Sequence, residues 1–275
     1  MPELPEVETI VRELRELVTG ETIEKVGVRL NKIVRTGPRN LGNLLKGASI
    51  EDIQRRGKFI VFILSGNRYL VVHLRMTGQF LWGQDPDAWP DHIHVKILFR
   101  SGRVLLYRDM RQFGRFWGLT GEAFRDWLDR EKLGPDPLEI SSEELCRLLS
   151  TRRGRIKALL LNQQFLSGLG NIYTDEALYA AGIHPLCPAD HLSPGQGERL
   201  HECICSILRE AIRLRGSTVR DYVGLSGVGG GYQGRHQVYG KTGDCCPKCG
   251  RPIERIVAAG RGTHFCPVCQ PKPGA

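Results

Sequence analysis

The chain begins with MPELPEVE, residues Met1–Glu8. Pro5 is well suited to the first turn of a helix, because a proline needs no hydrogen-bond partner there. Apolar residues then recur at helical spacing from Val7 to Val18. Gly20 follows them and is favoured just beyond a helix C-terminus. The stretch therefore predicts an N-terminal helix with one face in a hydrophobic core.

The same stretch carries candidate chemistry at its first residues. Removal of Met1 would expose Pro2 as a secondary amine, and a terminal amine titrates near pH ~7.7–8.0 against ~10.4 for lysine. Such an amine is partly neutral at physiological pH and can form a Schiff base. Glu3 and Glu6 would supply groups for proton transfer beside it. The alternative is an ordinary helix start, in which Glu6 only complements the helix dipole.

Composition limits the class of protein. The 275 residues include 39 Lys and Arg against 30 Asp and Glu, a formal net charge of +9. This excess favours a polyanionic partner. No apolar run approaches the ~20 residues of a membrane span, and the acidic N-terminus differs from a signal peptide. Nine cysteines, four of them in two CxxC pairs, fit a reducing cytoplasm with a metal site better than a disulfide framework.

Two regimes of hydrophobic spacing divide the chain. Up to residue 120, about eight short apolar runs are separated by turn residues such as Ser65–Asn67 and Ser101–Gly102. These runs predict an antiparallel two-sheet sandwich. Two prolines and a glycine within Leu133–Leu138 predict a linker. Helical spacing follows, and it predicts helices starting after Ser141 and at Arg155–Gln163, Asn171–Ala181 and Gly197–Arg215.

The two CxxC pairs give the most specific spacing in the sequence. Cys246-Pro-Lys-Cys249 and Cys266-Pro-Val-Cys269 are separated by sixteen residues. This matches the template of a tetrahedral zinc site with four thiolates. Four protein ligands leave no open position, so the spacing predicts one structural Zn²⁺ per chain. A redox CxxC, the alternative, needs only one pair.

Basic residues accompany two glycine-containing turns. Between the CxxC pairs, Gly260–Thr263 is typical of a hairpin tip that would present Arg261 to a phosphate, although a solvated charged ribbon is the alternative. Gly168-Leu-Gly170 precedes Asn171, which we predict as a helix N-cap, and such a turn offers backbone N–H groups to an anion. Four cations precede this turn, and we expect them on the neighbouring helix: Arg152, Arg153, Arg155 and Lys157. A plain helix–turn–helix corner would explain the glycines but not these cations.

Six motifs occur in a fixed order: Met1–Glu8, Gly57–Lys58, His73–Met76, Asp109–Gly114, Gly168–Tyr173 and the four-cysteine finger. Together they resemble the bacterial formamidopyrimidine-DNA glycosylase family, also called 8-oxoguanine DNA glycosylase, nearly from end to end. The resemblance implies an α+β fold with an N-terminal antiparallel β-sandwich flanked by helices. It also implies a C-terminal helix–two-turns–helix domain with a zinc-finger hairpin. We therefore predict a catalytic domain over residues 1–132, a linker over 133–138, a DNA-binding domain over 139–234 and a finger over 235–275.

The resemblance also implies a bifunctional glycosylase and abasic-site lyase that flips the damaged nucleotide into a cleft between its domains. Pro2 would attack the sugar C1′, and Glu3 would donate the main proton with support from Glu6. Lys58 would serve in β-elimination and Arg261 in δ-elimination. Residues at family positions that fill the hole left by the flipped base are Met76, Arg111 and Phe113. Expected contacts to the DNA backbone are His73, His92, Arg152, Arg153, Lys157 and Asn171, with Arg261.

Two departures from the family pattern border the finger. Cys245 stands where proline is common, and Lys241 stands where arginine is usual. Six glycines within Gly224–Gly234 predict a mobile loop or a flexible linker, in the region that closes over the extruded base in the family. We expect a bacterial, cytoplasmic, nucleoid-associated monomer that acts on double-stranded DNA with an oxidised purine or abasic site, without a membrane partner.

Two other functions fit parts of the sequence. An endonuclease VIII-type glycosylase would prefer oxidised pyrimidines, whereas Leu4 and the set of Met76, Arg111 and Phe113 favour the purine type. A non-catalytic DNA-binding zinc-ribbon protein would account for the charge and the finger. It would not account for Pro2, Glu3 and Lys58 at family positions.

Overall fold

The computed structural model describes residues 1–83, 89–218, 224–225 and 227–272. Contacts divide the chain into two compact units. The first comprises Met1–Lys132 with Leu214–Gly231, and the second comprises Leu133–Arg213 with Tyr232–Ala275. The contacts thus group Leu214–Gly231 with the N-terminal residues. The domain boundaries predicted from the sequence, at residues 132, 138 and 234, remain predictions.

The first unit is built on two antiparallel sheets of four strands each. This arrangement confirms the predicted α+β class and its antiparallel N-terminal sheets. The helices of this unit are α1 (Leu4–Val18), α2 (Pro38–Leu45) and α3 (Gly121–Glu131). The strands are β1 (Ile23–Val28), β2 (Ile50–Arg56), β3 (Phe59–Leu64), β4 (Arg68–His73), β5 (Gly78–Gly83), β6 (Ile93–Phe99), β7 (Val104–Asp109) and β8 (Arg115–Thr120). One sheet has the strand order β1-β6-β7-β5, and the other has the order β2-β3-β4-β8.

The apolar residues of α1 and of the strands form one core. Val7, Val11 and Leu14 of α1 are buried in the same cluster as Ile60 of β3 and Val72 of β4. Burial of these apolar side chains away from water is the main contribution to the free energy that holds the helix against the sheet. The helix is therefore fixed along its length, and its first turn is held in place for the chemistry proposed for Pro2.

The second unit contains four α-helices and a two-stranded hairpin among its described residues. They are α4 (Ser142–Ser150), α5 (Ile156–Leu161), α6 (Asn171–Ala181), α7 (Pro194–Arg213), β9 (Glu254–Ala258) and β10 (Arg261–Phe265). The Ser141 hydroxyl caps α4 by accepting a hydrogen bond from the Glu144 N–H at 3.2 Å. The helix α7 begins three residues before its predicted start, because Pro194 is accommodated in a first helical turn.

Across the described part of the chain, every helix is too short or too polar to span a bilayer.

Candidate functional site

The first turn of α1 brings two carboxylates together beside Pro2. Pro2, Glu3 and Glu6 are all buried. The Glu3 N–H donates to Glu6 Oε2 at 2.7 Å, as part of a reciprocal capping arrangement between the two residues. The other oxygen of the same carboxylate, Glu6 Oε1, accepts from the Ser217 N–H at 2.7 Å. The structure therefore places Glu3 and Glu6 together, as the sequence predicts, and adds Ser217 to the group.

Ser217 belongs to Leu214–Gly231, called the 214–231 segment below. Gly216 in this segment has φ of +80°, and a Cβ at that position would lie 2.6 Å from Glu6 Oε1. Only glycine therefore allows the backbone to approach the carboxylate so closely. The predicted mobile loop Gly224–Gly234 overlaps the end of this segment, and its Ser226 lies outside the described residues.

Sequence reasoning missed a second carboxylate of α1 that holds the 214–231 segment. Glu13 Oε2 accepts from the Leu225 N–H at 2.7 Å, and Glu13 Oε1 pairs with the Arg215 guanidinium. Glu6 and Glu13 are seven residues apart, a spacing that returns to the same helix face. This spacing was the only available signal in the sequence, and it is common on solvated helix faces.

A group of cations surrounds His73 at the end of β4. Lys58, in the turn between β2 and β3, and His73 are both buried. Burial and the charges of Arg75, Lys58 and Arg115 lower the pKa of His73 to about 3. Its Nδ1 accepts from the Arg75 N–H at 3.0 Å, so the proton of the neutral ring is on Nε2. Lys58 and His73, both predicted site residues, thus lie in one electropositive region suited to a phosphate.

The buried Asp109 organises the loop that carries Arg111. Its Oδ1 accepts from the Thr77 hydroxyl at 2.6 Å, and its Oδ2 accepts from the Gly114 N–H at 2.8 Å. The Arg111 N–H in turn donates to Thr77 Oγ1 at 3.0 Å. Among the ion pairs of the described residues, none joins Arg111 to Asp109. The Asp109 carboxylate instead holds the Gly114 N–H directly and the Arg111 N–H through Thr77.

Three residues predicted to fill the hole left by the flipped base, called the wedge residues below, project from these turns. The side chains of Met76 and Phe113 are 38% and 44% exposed, and Arg111 is exposed as well. The Arg111 Cζ lies 4.9 Å from the centroid of the Phe113 ring, a cation–π distance that holds the guanidinium beside the ring. His92 is exposed too, and its carbonyl accepts from the Asp109 N–H at 3.0 Å. These residues therefore share one surface of the first unit.

The four cysteines of the finger converge in the second unit. The Sγ atoms of Cys246, Cys249, Cys266 and Cys269 all lie within 4.8 Å of one another. Cys246 Sγ and Cys269 Sγ are 3.8 Å apart, and Cys249 Sγ and Cys266 Sγ are 3.4 Å apart. Zn–S bonds of about 2.3 Å in a tetrahedron require sulfur separations of about 3.8 Å. Four thiol groups at these distances fit one structural Zn²⁺ with no free ligand position.

The zinc hairpin differs from the predicted tip by one or two residues. Its turn is at Ala259 and Gly260, both with positive φ, and Arg261 is the first residue of β10. Arg261 is exposed, whereas Thr263 is fully buried. Arg261 therefore stands beside the tip with its side chain in solvent, as a phosphate contact requires.

The structure revises the prediction for Lys157. This lysine has no exposed surface, and its Nζ donates to Asp175 Oδ1 at 2.5 Å and to Thr263 Oγ1 at 2.7 Å. A fully buried ammonium cannot reach a DNA phosphate directly. Lys157 instead joins α5 to α6 and to the hairpin strand that begins with Arg261.

The remaining predicted DNA contacts lie near the same hairpin or on the surface. Gly170, rather than Asn171, is the N-cap of α6, and the Asn171 Nδ2 donates to the Gly262 carbonyl at 2.9 Å. Arg152 and Arg153 are exposed in the turn before α5, not on a helix. Neither of them takes part in an ion pair among the residues that the structure describes. Their charges are therefore available to a polyanion.

Comparison with protein families gives three adjacent matches. Residues 1–116 match the formamidopyrimidine-DNA glycosylase N-terminal domain, and residues 133–223 match the formamidopyrimidine-DNA glycosylase H2TH domain. Residues 243–272 match a zinc finger found in FPG and IleRS. The third match covers all four clustered cysteines and supports their assignment as a zinc site.

Individual relatives match over the whole chain. The chain is 48% identical to the formamidopyrimidine-DNA glycosylase of Brevibacillus brevis over 98% of its own length and 99% of the relative. It is 44% identical to that of Heliobacterium modesticaldum, over 98% of the chain and 100% of the relative. A solved complex of Lactococcus lactis Fpg with DNA containing an abasic site is similar at 38% identity. Its TM-score is 0.92, and the match covers 98% of this chain and 100% of that one. On these matches, together with the sandwich, the helices and the four-cysteine finger, the chain belongs to the formamidopyrimidine-DNA glycosylase family.

Proposed function

We propose that this protein excises oxidised purines from double-stranded DNA and then cleaves the strand at the abasic site. The single observation that carries the proposal is the arrangement around Glu6. Its carboxylate joins the Glu3 amide, next to Pro2, to the Ser217 amide of the 214–231 segment. A nucleophile candidate, two proton-transfer groups and a segment from elsewhere in the chain are thereby held together.

The reaction would begin at the terminal amine that remains after Met1 is removed. The Pro2 nitrogen would attack the sugar C1′ and form a C–N bond, while the bond from C1′ to the damaged base breaks. The base would leave with the electron pair and take up a proton. Glu3 would protonate the ring oxygen O4′ as the sugar opens, which leaves an iminium between Pro2 and C1′. Glu6 would hold the backbone of Glu3 in position.

Strand cleavage would follow by two eliminations. Removal of a C2′ proton expels the 3′ phosphate, and a second elimination expels the 5′ phosphate. Water then hydrolyses the iminium and releases Pro2. Lys58 would act in the first elimination, supported by its place in the cationic group around His73. Arg261 would act in the second, supported by its exposure beside the hairpin tip.

Exposed cations and the wedge residues would hold the DNA. Arg152 and Arg153 would neutralise phosphates, and Met76, Arg111 and Phe113 would occupy the space left by the flipped nucleotide. The zinc would supply folding energy to the finger and take no part in the chemistry. We place the protein in the bacterial cytoplasm, on DNA, as a monomer.

The test is borohydride trapping of the Schiff base on duplexes with a single lesion. We expect a covalent protein–DNA adduct with 8-oxoguanine opposite cytosine. The matched control carries a cleavable peptide ahead of Pro2, which turns the amine into a non-nucleophilic amide. No adduct should form before cleavage of the peptide, and adduct formation should return once cleavage exposes Pro2.

The same assay separates the other functions. An adduct only on oxidised pyrimidine would select the endonuclease VIII type. Absence of an adduct on every lesion, from protein with Pro2 confirmed as its first residue by mass, would select a non-catalytic DNA-binding protein.

A further inference from the structure

Tyr179 places a hydroxyl against the zinc cluster. It lies near the end of α6, is almost completely buried, and its Oη is 3.2 Å from Cys246 Sγ. The hydroxyl belongs to the helical part of the second unit, whereas Cys246 is one of the four clustered thiols. The contact is therefore made from outside the finger to one of its ligands.

The direction of this hydrogen bond follows from metal chemistry. A cysteine bound to zinc is a thiolate and carries no proton. In the metal-loaded finger the sulfur can only accept, so the Tyr179 hydroxyl must donate. A hydrogen bond to a charged acceptor is stronger than one between neutral groups. It also withdraws charge from the sulfur, which makes that sulfur a weaker nucleophile.

The position of Tyr179 is part of a regular pattern on α6. Asn171, Asp175 and Tyr179 are four residues apart and so lie on one helix face. The Asn171 Nδ2 donates to the Gly262 carbonyl at 2.9 Å, and Asp175 Oδ2 accepts from the His264 N–H at 2.9 Å. The first two residues of this α6 stripe thus hold the hairpin strand β10. The third reaches the metal site.

We propose that Tyr179 stabilises the zinc site by donating a hydrogen bond to the metal-bound Cys246 sulfur. It thereby slows both zinc release and chemical modification of that sulfur. Groups that hydrogen-bond to metal ligands commonly change metal affinity by about 10–100-fold when they are removed. The ring has its own support, because Lys248 Nζ lies 4.6 Å from its centroid. Loss of the hydroxyl alone should therefore leave the packing in place.

The experiment uses full-length, zinc-loaded protein without DNA, so its outcome does not depend on the proposed reaction. Tyr179→Phe removes one oxygen atom, and Tyr173→Phe makes the same change at a buried tyrosine of α6 whose ring packs against Tyr232. Zinc release is measured from the absorbance change of a chromogenic chelator added in excess. Alkylation of Cys246 is followed by peptide mass spectrometry. We expect Tyr179→Phe to speed release about tenfold and to speed Cys246 alkylation, with Tyr173→Phe close to wild type.

A spectroscopic measurement separates the hydrogen bond from packing. With Co²⁺ in place of zinc, the sulfur-to-cobalt charge-transfer band depends on the electron density of the thiolates. Loss of a donor to Cys246 should move this band to lower energy in Tyr179→Phe but not in Tyr173→Phe. An unchanged band together with wild-type zinc release would overturn the proposal. So would equal effects of the two substitutions, which would show that only burial of the ring matters.

Discussion

His73 is kept neutral by the charges around it. Burial and the neighbouring Arg75, Lys58 and Arg115 lower its pKa to about 3, from 6.5 in an unfolded chain. As the pH falls below about 6.5, the unfolded state therefore binds a proton that the folded state does not, and stability decreases. We expect the free energy of unfolding in urea to fall more steeply for the wild type than for His73→Gln between pH 7 and about pH 5. Parallel pH profiles for the two proteins would contradict this.

We expect Arg111 to read the base opposite the lesion. Its guanidinium lies over Phe113, and Asp109 is occupied by Thr77 and Gly114. An orphaned cytosine offers adjacent N3 and O2 acceptors to the five donors of an arginine, whereas adenine offers N1 beside a donor amino group. A good bidentate contact contributes about 1–3 kcal/mol of discrimination.

We therefore predict that excision of 8-oxoguanine is faster opposite cytosine than opposite adenine, and that Arg111→Ala removes most of this preference. Single-turnover excision with each opposing base measures the ratio. Arg103→Ala removes the same charge from an exposed hairpin turn and should keep the wild-type ratio. If Arg111→Ala keeps the full ratio as well, Arg111 is not the reader.

Lys157 and Arg153 should behave differently although both are basic residues of one sequence cluster. Lys157→Ala leaves Asp175 buried without its cation, and breaking a buried pair in this way costs about 3–5 kcal/mol of stability. Arg153→Ala should change stability by less than about 0.5 kcal/mol. It should flatten the dependence of log affinity on log salt by about 0.9. Urea unfolding and DNA titration at several salt concentrations test both, and an equally stable Lys157→Ala would refute the assignment.

The sequence predicted single side chains well where the chemistry is local. The CxxC spacing and the Pro2–Glu6 stretch each contain their own geometry. In the structure the four cysteines lie close to one another, and Glu3 and Glu6 are hydrogen-bonded to each other. Lys157 was misassigned because its partners are Asp175, eighteen residues away, and Thr263, more than a hundred residues away. A run of basic residues cannot reveal which one will meet a distant carboxylate inside the core.

Along α1, Glu13 should control how firmly the 214–231 segment is held. Its two oxygens engage Arg215 and the Leu225 N–H. Glu13→Gln removes the charge that strengthens both contacts, so we expect faster hydrogen exchange at the Leu225 amide. Glu16→Gln, an exposed residue of the same helix, is the matched control and should leave exchange unchanged. Identical exchange in the two variants would show that Glu13 has no such role.

Among whole elements, those with a buried face were predictable and those with little burial were not. The spacing predicted α1 and the strands with most burial, such as β3 and β4, since each of these buries most of its apolar residues. The helix α3 left no such pattern in its sequence, because only Gly121 and Trp127 among its eleven residues are buried. The grouping of the 214–231 segment with the first unit also carries no periodic signal. Of its described residues only Leu225 lies in the core cluster, and Glu6 and Glu13 accept hydrogen bonds from its backbone.

For the whole molecule, zinc removal should separate DNA binding from the stability of the sandwich. The four thiols lie in the second unit, and structural zinc contributes its folding energy locally. Chelation should disorder the finger and the position of Arg261 while the N-terminal sheets stay folded. We expect weaker DNA binding with little loss of β-sheet signal in circular dichroism. Unchanged affinity in fully metal-free protein would rule out a role for the finger in binding.

The α6 stripe makes the length of this helix as important as its composition. Asn171, Asp175 and Tyr179 face the finger together only because each is four residues from the next. Deleting one residue from the helix turns everything beyond it by about 100°. A deletion between Asn171 and Asp175 would then point the first residue away from the other two without altering any of the three. Members of a natural or engineered library should therefore tolerate no insertion or deletion within α6, a helix whose eleven residues are all buried or half-buried.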